Sequence, residues 1–99
     1  MSFKKDGLIQ EHYENGLRKS EINYKNNKLD GELKRWYESG QIACEENYID
    51  GKLEGLNRWW YESGQMKFKG HYEGGKKTGY CIWWKINGAI EKTLSADLY

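Results

Sequence analysis

The chain has 99 residues and a net charge of +1, with 15% aromatic residues, 12 glycines and no proline. This length allows one domain with a modest core, the aromatic content argues against disorder, and the balanced charge argues against nucleic acid as a partner. Two cysteines do not make a disulfide framework, and the sequence shows neither a bilayer-length apolar run nor a secretory signal, so we expect a cytoplasmic protein.

The sequence repeats itself with a period of 24 residues. The stretch RWYESGQ at 35–41 returns as WWYESGQ at 59–65, and two columns of glycine keep the same interval. The columns are Gly7, Gly31, Gly55 and Gly79, and Gly16, Gly40, Gly64 and Gly88. A fixed period of this length is typical of stacked repeats. We therefore predict one domain over residues 1–99, in rows 7–30, 31–54, 55–78 and 79–99.

Each row contains two short runs of strand-forming residues around a polar corner. In chain order, the first corners are Asn15-Gly16, Ser39-Gly40 and Ser63-Gly64, and polar segments such as KNNKLDG connect the rows. Asn-Gly favours a two-residue type I′ turn between antiparallel strands. We therefore predict an all-β fold, a single-layer antiparallel meander of β-hairpins with about eight strands.

The length of the corner decides which residues share a face of the sheet. A two-residue corner at Ser39-Gly40 places Tyr37 opposite Ile42 and Arg35 opposite Cys44. Applied to all rows, this register predicts a core face rich in aromatic and aliphatic side chains. Its residues are Ile9, Tyr13, Ile22, Tyr24, Leu33, Tyr37, Ile42, Cys44, Tyr48, Trp59, Tyr61, Met66, Phe68, Tyr72 and Trp83.

An aromatic column crosses the opposite, charged face. Its members are His12, Trp36, Trp60 and Trp84, and the cations beside it are Lys34, Arg58 and Lys67. Members of the column on alternate strands should lie about 9–10 Å apart. Two interpretations stay open. In the first, the column has no binding role, because aromatic residues simply favour strands or because the register is off by one residue and the column belongs to the core. In the second, the column forms the centre of a protein interface.

The C-terminal segment AIEKTLSADLY admits two structures. It could complete the last strand through Ile90, Leu94 and Ala96, or form a helical turn through Ile90, Leu94 and Leu98. We favour a strand followed by a loose tail.

No arrangement of residues supports catalysis or a metal site. His12 and His71 fall about five strands apart in the predicted sheet, and Cys44 and Cys81 about three strands apart, too far for a disulfide. Both cysteines point away from the face that carries the histidines, which leaves no Cys-His nucleophile pair. We expect no catalytic residue, no metal, no cofactor and no enzymatic activity.

The rows resemble MORN repeats, and most closely the bacterial MORN repeat variant associated with toxin-antitoxin systems. The resemblance rests on WYESGQI and NYIDGKLEG within 36–55 and on FKGHYEGGKKTG at 68–79. It implies a sheet of hairpins with Phe68, Gly70 and Tyr72 on the packed side. It also implies an antitoxin that neutralises a cognate toxin. Related repeats occur in lipid-contacting, septal and enzyme-flanking proteins, so the resemblance defines the scaffold better than the function.

We interpret the chain as a protein-interaction module of the antitoxin type. The residues expected to bind the partner protein are His12, Trp36, Trp60, Trp84, Lys34, Arg58 and Lys67. Alternatives are a membrane-surface scaffold, which the balanced charge disfavours, and an accessory domain of a larger assembly. The exposed edges of an open sheet also predict self-association or strand addition by a partner.

Overall fold

The computed structural model describes residues 4–95, which form one antiparallel sheet without a helix. The nine strands are β1 (Gly7–His12), β2 (Arg18–Lys25), β3 (Lys28–Trp36), β4 (Ile42–Ile49), β5 (Lys52–Leu53), β6 (Gly55–Trp60), β7 (Met66–Glu73), β8 (Lys76–Trp84) and β9 (Ile90–Ser95). Each strand pairs with the next along the chain, except that β5 and β6 both pair with β4. The Cα trace measures 46 × 34 × 17 Å, and all nine strands belong to one layer. The predicted all-β meander of hairpins is confirmed.

The corners inside the rows contain three residues rather than two. In the first corner the Tyr13 amide donates to the Leu17 carbonyl at 2.8 Å, and the Gly16 amide donates to the Tyr13 carbonyl at 2.9 Å. The same two bonds recur in the three following corners. Gly16 is the one residue of its corner with a positive φ, 87°, as in a type I turn closed by a left-handed glycine. The predicted two-residue corner is therefore wrong.

Two-residue turns occur instead between the rows. Asn26 and Asn27 have φ values of 50° and 69°, and Gly74 and Gly75 repeat this pair with 56° and 86°. A type I′ turn needs a positive φ at both central residues, which asparagine and glycine tolerate best. The tight hairpin turns thus lie in the connecting segments, where the sequence reads NN, DG or GG.

Each three-residue corner is followed by a β-bulge that restores the predicted register. Trp36 pairs with Ile42, yet Arg35 pairs with Cys44, so Ala43 is left without a cross-strand partner. The bulge on the returning strand offsets the extra corner residue. Beyond the bulge, the predicted pairing of Arg35 with Cys44 is confirmed.

The longer corner changes the face of two residues beside it. Ile42 pairs with Trp36, and Met66 pairs with Trp60. Paired residues share a face, so both side chains lie on the side of the tryptophan column. Their predicted place on the core face is wrong.

Hydrogen bonds between rows hold both rims of the sheet. At the tyrosine rim, hydroxyls donate to backbone carbonyls of the next row: Tyr13 to Trp36 at 2.6 Å, Tyr37 to Trp60 at 2.6 Å and Tyr61 to Trp84 at 2.8 Å. At the carboxylate rim, side chains accept amide hydrogens from a later turn: Asp6 from Asn26, Asp30 from Asp50 and Glu54 from Gly74. These repeated bonds give successive rows the same relation to one another.

One face of the sheet, the packed face, holds the buried core. Its central residues are Phe68, Tyr72 and Cys81, at 1%, 9% and 0% exposure, with Leu53, Trp83 and Leu94 packed against them. Gly70 lies between the Phe68 ring and the Cys81 thiol, where a Cβ would come within 2.7 Å of Phe68 Cζ and 2.9 Å of Sγ. The predicted packed side is confirmed at these positions, and glycine is required there for lack of space.

A single layer leaves part of the packed face open. The Trp59 ring stacks on Phe68 with centroids 4.7 Å apart, and Phe68 lies 4.9 Å from the Trp83 ring. Trp59 is nevertheless 37% exposed. Its predicted place on the core face, opposite Phe68, is confirmed, and it stays partly exposed because no second layer covers the ladder within residues 4–95.

The last described segment is the strand β9, which confirms the strand alternative for Ile90 and Leu94. Ala96 and Leu98, and with them the predicted tail, lie outside the described residues. No helix within residues 4–95 is long and apolar enough to cross a membrane.

Candidate functional site

The aromatic column lies on the face opposite the core. His12, Trp36, Trp60 and Trp84 are the last residues of β1, β3, β6 and β8. The preceding residue in β6, Trp59, pairs with Phe68 on the packed face, so strand alternation turns Trp60 to the other side. We call this side the tryptophan face. It includes the column, its cross-strand partners Arg18, Ile42, Met66 and Ile90, and the residues that alternate with the packed face, such as Lys34 and Ile82.

Trp36 is covered by a cation from the preceding row. It is only 9% exposed, and the guanidinium carbon of Arg18 lies 4.3 Å from its ring centroid. Arg18 also lies 3.7 Å from the Glu21 carboxylate, while its own side chain is 58% exposed. A guanidinium over an indole is attracted by the ring quadrupole and shields it from water. Trp36 therefore offers little surface to a partner.

Trp60 is half-buried and has an oriented arginine beside it. The Arg58 guanidinium carbon lies 5.3 Å from the Trp60 ring centroid. The same side chain donates to the Glu45 carboxylate at 2.7 Å, across the β4–β6 pair. The ion pair and the ring together restrict the rotamers of Arg58, so the charge and the indole are presented in a fixed arrangement.

Beyond Trp60 the face is more apolar. We call this part the apolar strip, formed by Trp60, Met66, Ile82, Trp84 and Ile90. Ile90 is 60% exposed and pairs with the half-buried Trp84. In the 24-residue period, Ile42, Met66 and Ile90 hold the position of Arg18, so an apolar side chain replaces the covering cation there. No cation of the preceding row therefore covers Trp60 or Trp84 in the way that Arg18 covers Trp36.

The other predicted partner-binding residues are placed less centrally. His12 is exposed on the edge strand β1 and pairs with Arg18. The Lys34 ammonium lies 3.8 Å from the Glu32 carboxylate on the tryptophan face. Lys67 lies in a bulge, with its ammonium 5.5 Å from the Tyr61 ring centroid. The structure thus places Arg58 beside the half-buried Trp60, and His12 and Lys67 at the margins.

The packed face carries the groups whose ionisation is perturbed. Glu46 accepts hydrogen bonds from the Tyr48 hydroxyl at 2.9 Å and from the Trp59 indole at 2.8 Å. Burial, followed by the Glu46 charge, raises the pKa of the Cys44 thiol to about 11. Burial also raises the pKa of Tyr48, and the hydrogen bond to Glu46 adds to that effect. A thiol with such a pKa is protonated at neutral pH and is a weak nucleophile.

Within residues 4–95, no group of three or more His, Cys, Asp and Glu side chains is arranged to hold a metal ion. His71 Nδ1 lies 2.9 Å from the Thr78 hydroxyl, on a different part of the sheet from His12. The tryptophan face presents half-buried indole rings, an arginine oriented by Glu45 and the exposed Ile90 side chain.

The sequence prediction missed five members of this face, which are Arg18, Ile42, Met66, Ile82 and Ile90. The signal was present, because Arg18, Ile42, Met66 and Ile90 share one position of the 24-residue period. The assumed two-residue corner concealed it by assigning that position to the core.

A family model described as the MORN repeat variant matches residues 5–26, 29–50 and 53–73. Each matched segment contains one hairpin corner and the strands on both sides of it, and together they cover about two thirds of the chain. Neither a curated protein nor a solved structure matches the chain. MORN repeats are non-enzymatic modules that generally bind proteins or membranes. With three matched repeats in a continuous sheet of hairpins, the chain belongs to the MORN repeat variant family.

Proposed function

We propose that the chain binds another protein through the apolar strip and Arg58. The observation that carries this proposal is a difference in exposure along the column. Arg18 covers Trp36, which is 9% exposed, whereas Trp60 and Trp84 are half-buried and Ile90 beside them is 60% exposed. Exposed aliphatic and aromatic groups that adjoin one another mark interaction surfaces on small proteins.

The composition of the strip suits the centre of a protein interface. Trp, Met and Arg are enriched in such centres, and Trp and Arg are among the residues whose truncation costs most affinity. Lys69 and Arg58 pair across β6 and β7 and border the strip with positive charge. A partner with an apolar patch rimmed by carboxylates would therefore complement it.

The backbone of the strip and the Arg58 side chain are held before any partner binds. Tyr37 and Tyr61 donate to the main-chain carbonyls of Trp60 and Trp84, and Arg58 donates to Glu45. Groups that are already fixed lose less conformational entropy on association. The sheet thus presents the two indoles from a fixed backbone, and the bordering charges select the partner.

For the partner, we propose a cognate toxin that the chain neutralises by covering its functional surface. Support comes from the resemblance of the rows to the variant associated with toxin-antitoxin systems, together with a face suited to protein contact. In this proposal the chain needs no catalytic group, since occlusion is a binding function.

The test combines capture and growth. The product of the adjacent gene is co-expressed with the wild type, with a Trp60→Ala/Trp84→Ala variant and with Ile49→Ala as the control. Ile49 is 59% exposed at the carboxylate rim, away from the strip, so its truncation removes apolar surface elsewhere. We expect the double variant to lose capture while its far-UV circular dichroism stays native, and the control to bind as the wild type does.

The outcomes test the binding surface and the antitoxin role separately. Capture that survives the double substitution would contradict the role of the strip. A captured product that does not impair growth when expressed alone would contradict the antitoxin role and leave protein binding in place. Co-sedimentation with phosphatidylserine vesicles, lost in the double variant, would instead assign the strip to a membrane surface.

A further inference from the structure

The two outermost strands of the described sheet match each other in a way that points to a second copy of the chain. Within residues 4–95, β1 pairs only with β2, and β9 pairs only with β8. Each therefore has one edge without a strand neighbour among these residues. An unpaired strand edge is a template for strand addition.

The contact between one row and the next is already present inside the chain, where β2 meets β3. There Ile22 pairs with Leu33, both less than 9% exposed, and Ser20 pairs with Arg35. In the 24-residue period, β9 corresponds to β2 three periods later, and β1 corresponds to β3 one period earlier. The register of β2 and β3 therefore predicts which residues would pair if β9 of one copy joined β1 of another. Leu94 would pair with Ile9, Thr93 with Gln10 and Lys92 with Glu11.

These pairs are complementary in two ways, by apolar contact and by charge. Leu94 and Ile9 are half-buried in the single chain and would repeat the apolar contact of Ile22 with Leu33. Lys92 and Glu11 carry opposite charges, which stabilises directly opposed residues in an antiparallel pair. Glu11 takes part in no ion pair or hydrogen bond within the described residues, so its carboxylate is available.

The corner contacts extend the same match. Inside the chain, Tyr13 donates to the Trp36 carbonyl and the Asn15 amide donates to the Glu38 carbonyl at 3.2 Å. In the last corner, Lys85 holds the position of Tyr13 and Asn87 that of Asn15. Both Lys and Asn side chains are donors, so each can take the role of its counterpart and donate to the corresponding carbonyl in a second copy. Those carbonyls belong to His12 and Glu14.

We propose that the protein self-associates head to tail, with the β9 edge of one copy added to the β1 edge of the next in the register of β2 and β3. The contact is heterologous, so it repeats from copy to copy and extends the sheet unless a ring closes. It uses the two edges. Of the apolar strip only Ile90 lies in an edge strand, where it would take the position of Arg18 beside His12 of the second copy, whereas Trp60 and Met66 lie in inner strands. The contact does not depend on the protein partner proposed above.

The first test is sedimentation velocity over a wide range of protein concentration. We expect the mass of the wild type to rise with concentration. Glu11→Lys opposes two cations and Lys92→Glu opposes two carboxylates, so each variant alone should need about fivefold more protein to reach the same mass. An equimolar mixture of the two variants restores opposite charges at every contact and should assemble as the wild type does.

Glu62→Lys is the matched control, because it makes the same charge change at an exposed corner away from both edges. It should assemble normally. A wild type that stays monomeric throughout, single variants that assemble as well as the wild type, or a mixture that fails to recover would each overturn the proposal.

The second test identifies the contact directly. Unlabelled and nitrogen-15-labelled protein are mixed and treated with a carbodiimide, which joins a lysine amine to a carboxylate as an amide with loss of water. We expect a crosslinked peptide of mixed isotopic composition that joins Lys92 to Glu11. These residues lie on opposite edges of the sheet, roughly 30 Å apart for eight strand positions, so the crosslink cannot form within one copy. Crosslinks joining β1 to β1 or β9 to β9 would show a symmetric contact and contradict the head-to-tail arrangement.

Discussion

The hydroxyl of Tyr37 donates a hydrogen bond to the backbone carbonyl of Trp60 at 2.6 Å, across 23 residues of sequence. The corner of one row thereby holds the end of the strand that presents the next tryptophan. The tyrosine rim thus fixes the backbone from which the tryptophan face is presented. The contribution of this hydrogen bond to stability can be measured.

Replacing Tyr37 by phenylalanine should lower the free energy of unfolding by about 0.5–1.5 kcal/mol, because the hydrogen bond to Trp60 is lost without loss of the ring. Urea denaturation followed by tryptophan fluorescence measures the change. Tyr80→Phe is the control, since Tyr80 is 70% exposed and should change little. Equal effects in the two variants would show that the bond to Trp60 does not stabilise the sheet.

Replacing Gly70 by alanine should destabilise the protein by about 1–3 kcal/mol, because the new Cβ would overlap Phe68 and Cys81 in a filled core. The neighbouring substitution Lys69→Ala removes an exposed side chain from the same strand and should stay within about 0.5 kcal/mol of the wild type. Thermal unfolding of both variants gives the comparison. A stable Gly70→Ala protein would mean that the core can expand at this point.

Trp36 and Trp60 should respond differently to truncation although they share a column. Trp36→Ala removes a ring that is 9% exposed, so we expect a loss of about 3–5 kcal/mol in unfolding free energy. Trp60→Ala removes a more accessible ring and should cost less. Urea midpoints measured under the same conditions compare the stability losses of the two variants. Equal losses would indicate that Trp60 is as much a core residue as Trp36, which would weaken its role in binding.

Stability should fall as the pH rises from about 9 towards about 11. The pKa of Cys44 is raised from 9.0 to about 11 in the folded protein, so the folded state holds this proton more tightly than the unfolded chain does. The resulting stabilisation is complete below the unfolded pKa and is lost as the pH rises through the folded one. The raised pKa values of Tyr48 and Tyr37 act in the same direction.

Urea midpoints measured across this pH range test the effect, with Cys44→Ala as the variant that lacks the thiol. The variant should lose less stability over the interval than the wild type does. An identical decline in both proteins would assign the pH dependence to other groups.

Much of the fold could be predicted from local sequence. The 24-residue period and the paired runs predicted the hairpin meander, and the pairing of Trp59 with Phe68 agrees with the predicted register. The corner length could not be predicted, because a type I turn with a left-handed glycine and a type I′ turn both accept Asn-Gly. The wrong corner length changed the predicted face of Ile42 and Met66 only, because the bulge after each corner offsets the extra corner residue.

The candidate site was predicted in outline. The column and its cations could be found because side chains alternate between the two faces along a strand, so Trp60 lies on the opposite face from Trp59. The length of the corner does not change this result, because the bulge restores the register. The covering of Trp36 by Arg18 could not, because it depends on how far a long side chain reaches from one row to the next.

By itself, the amino-acid sequence determined the repeat, the strands and the two faces, because glycine spacing and side-chain alternation are local properties of the backbone. Only the tertiary structure decided which tryptophan is covered and which strands end the described sheet. Both depend on contacts between rows, where the identity of one side chain, such as Arg18 in place of Met66, changes what its neighbour exposes.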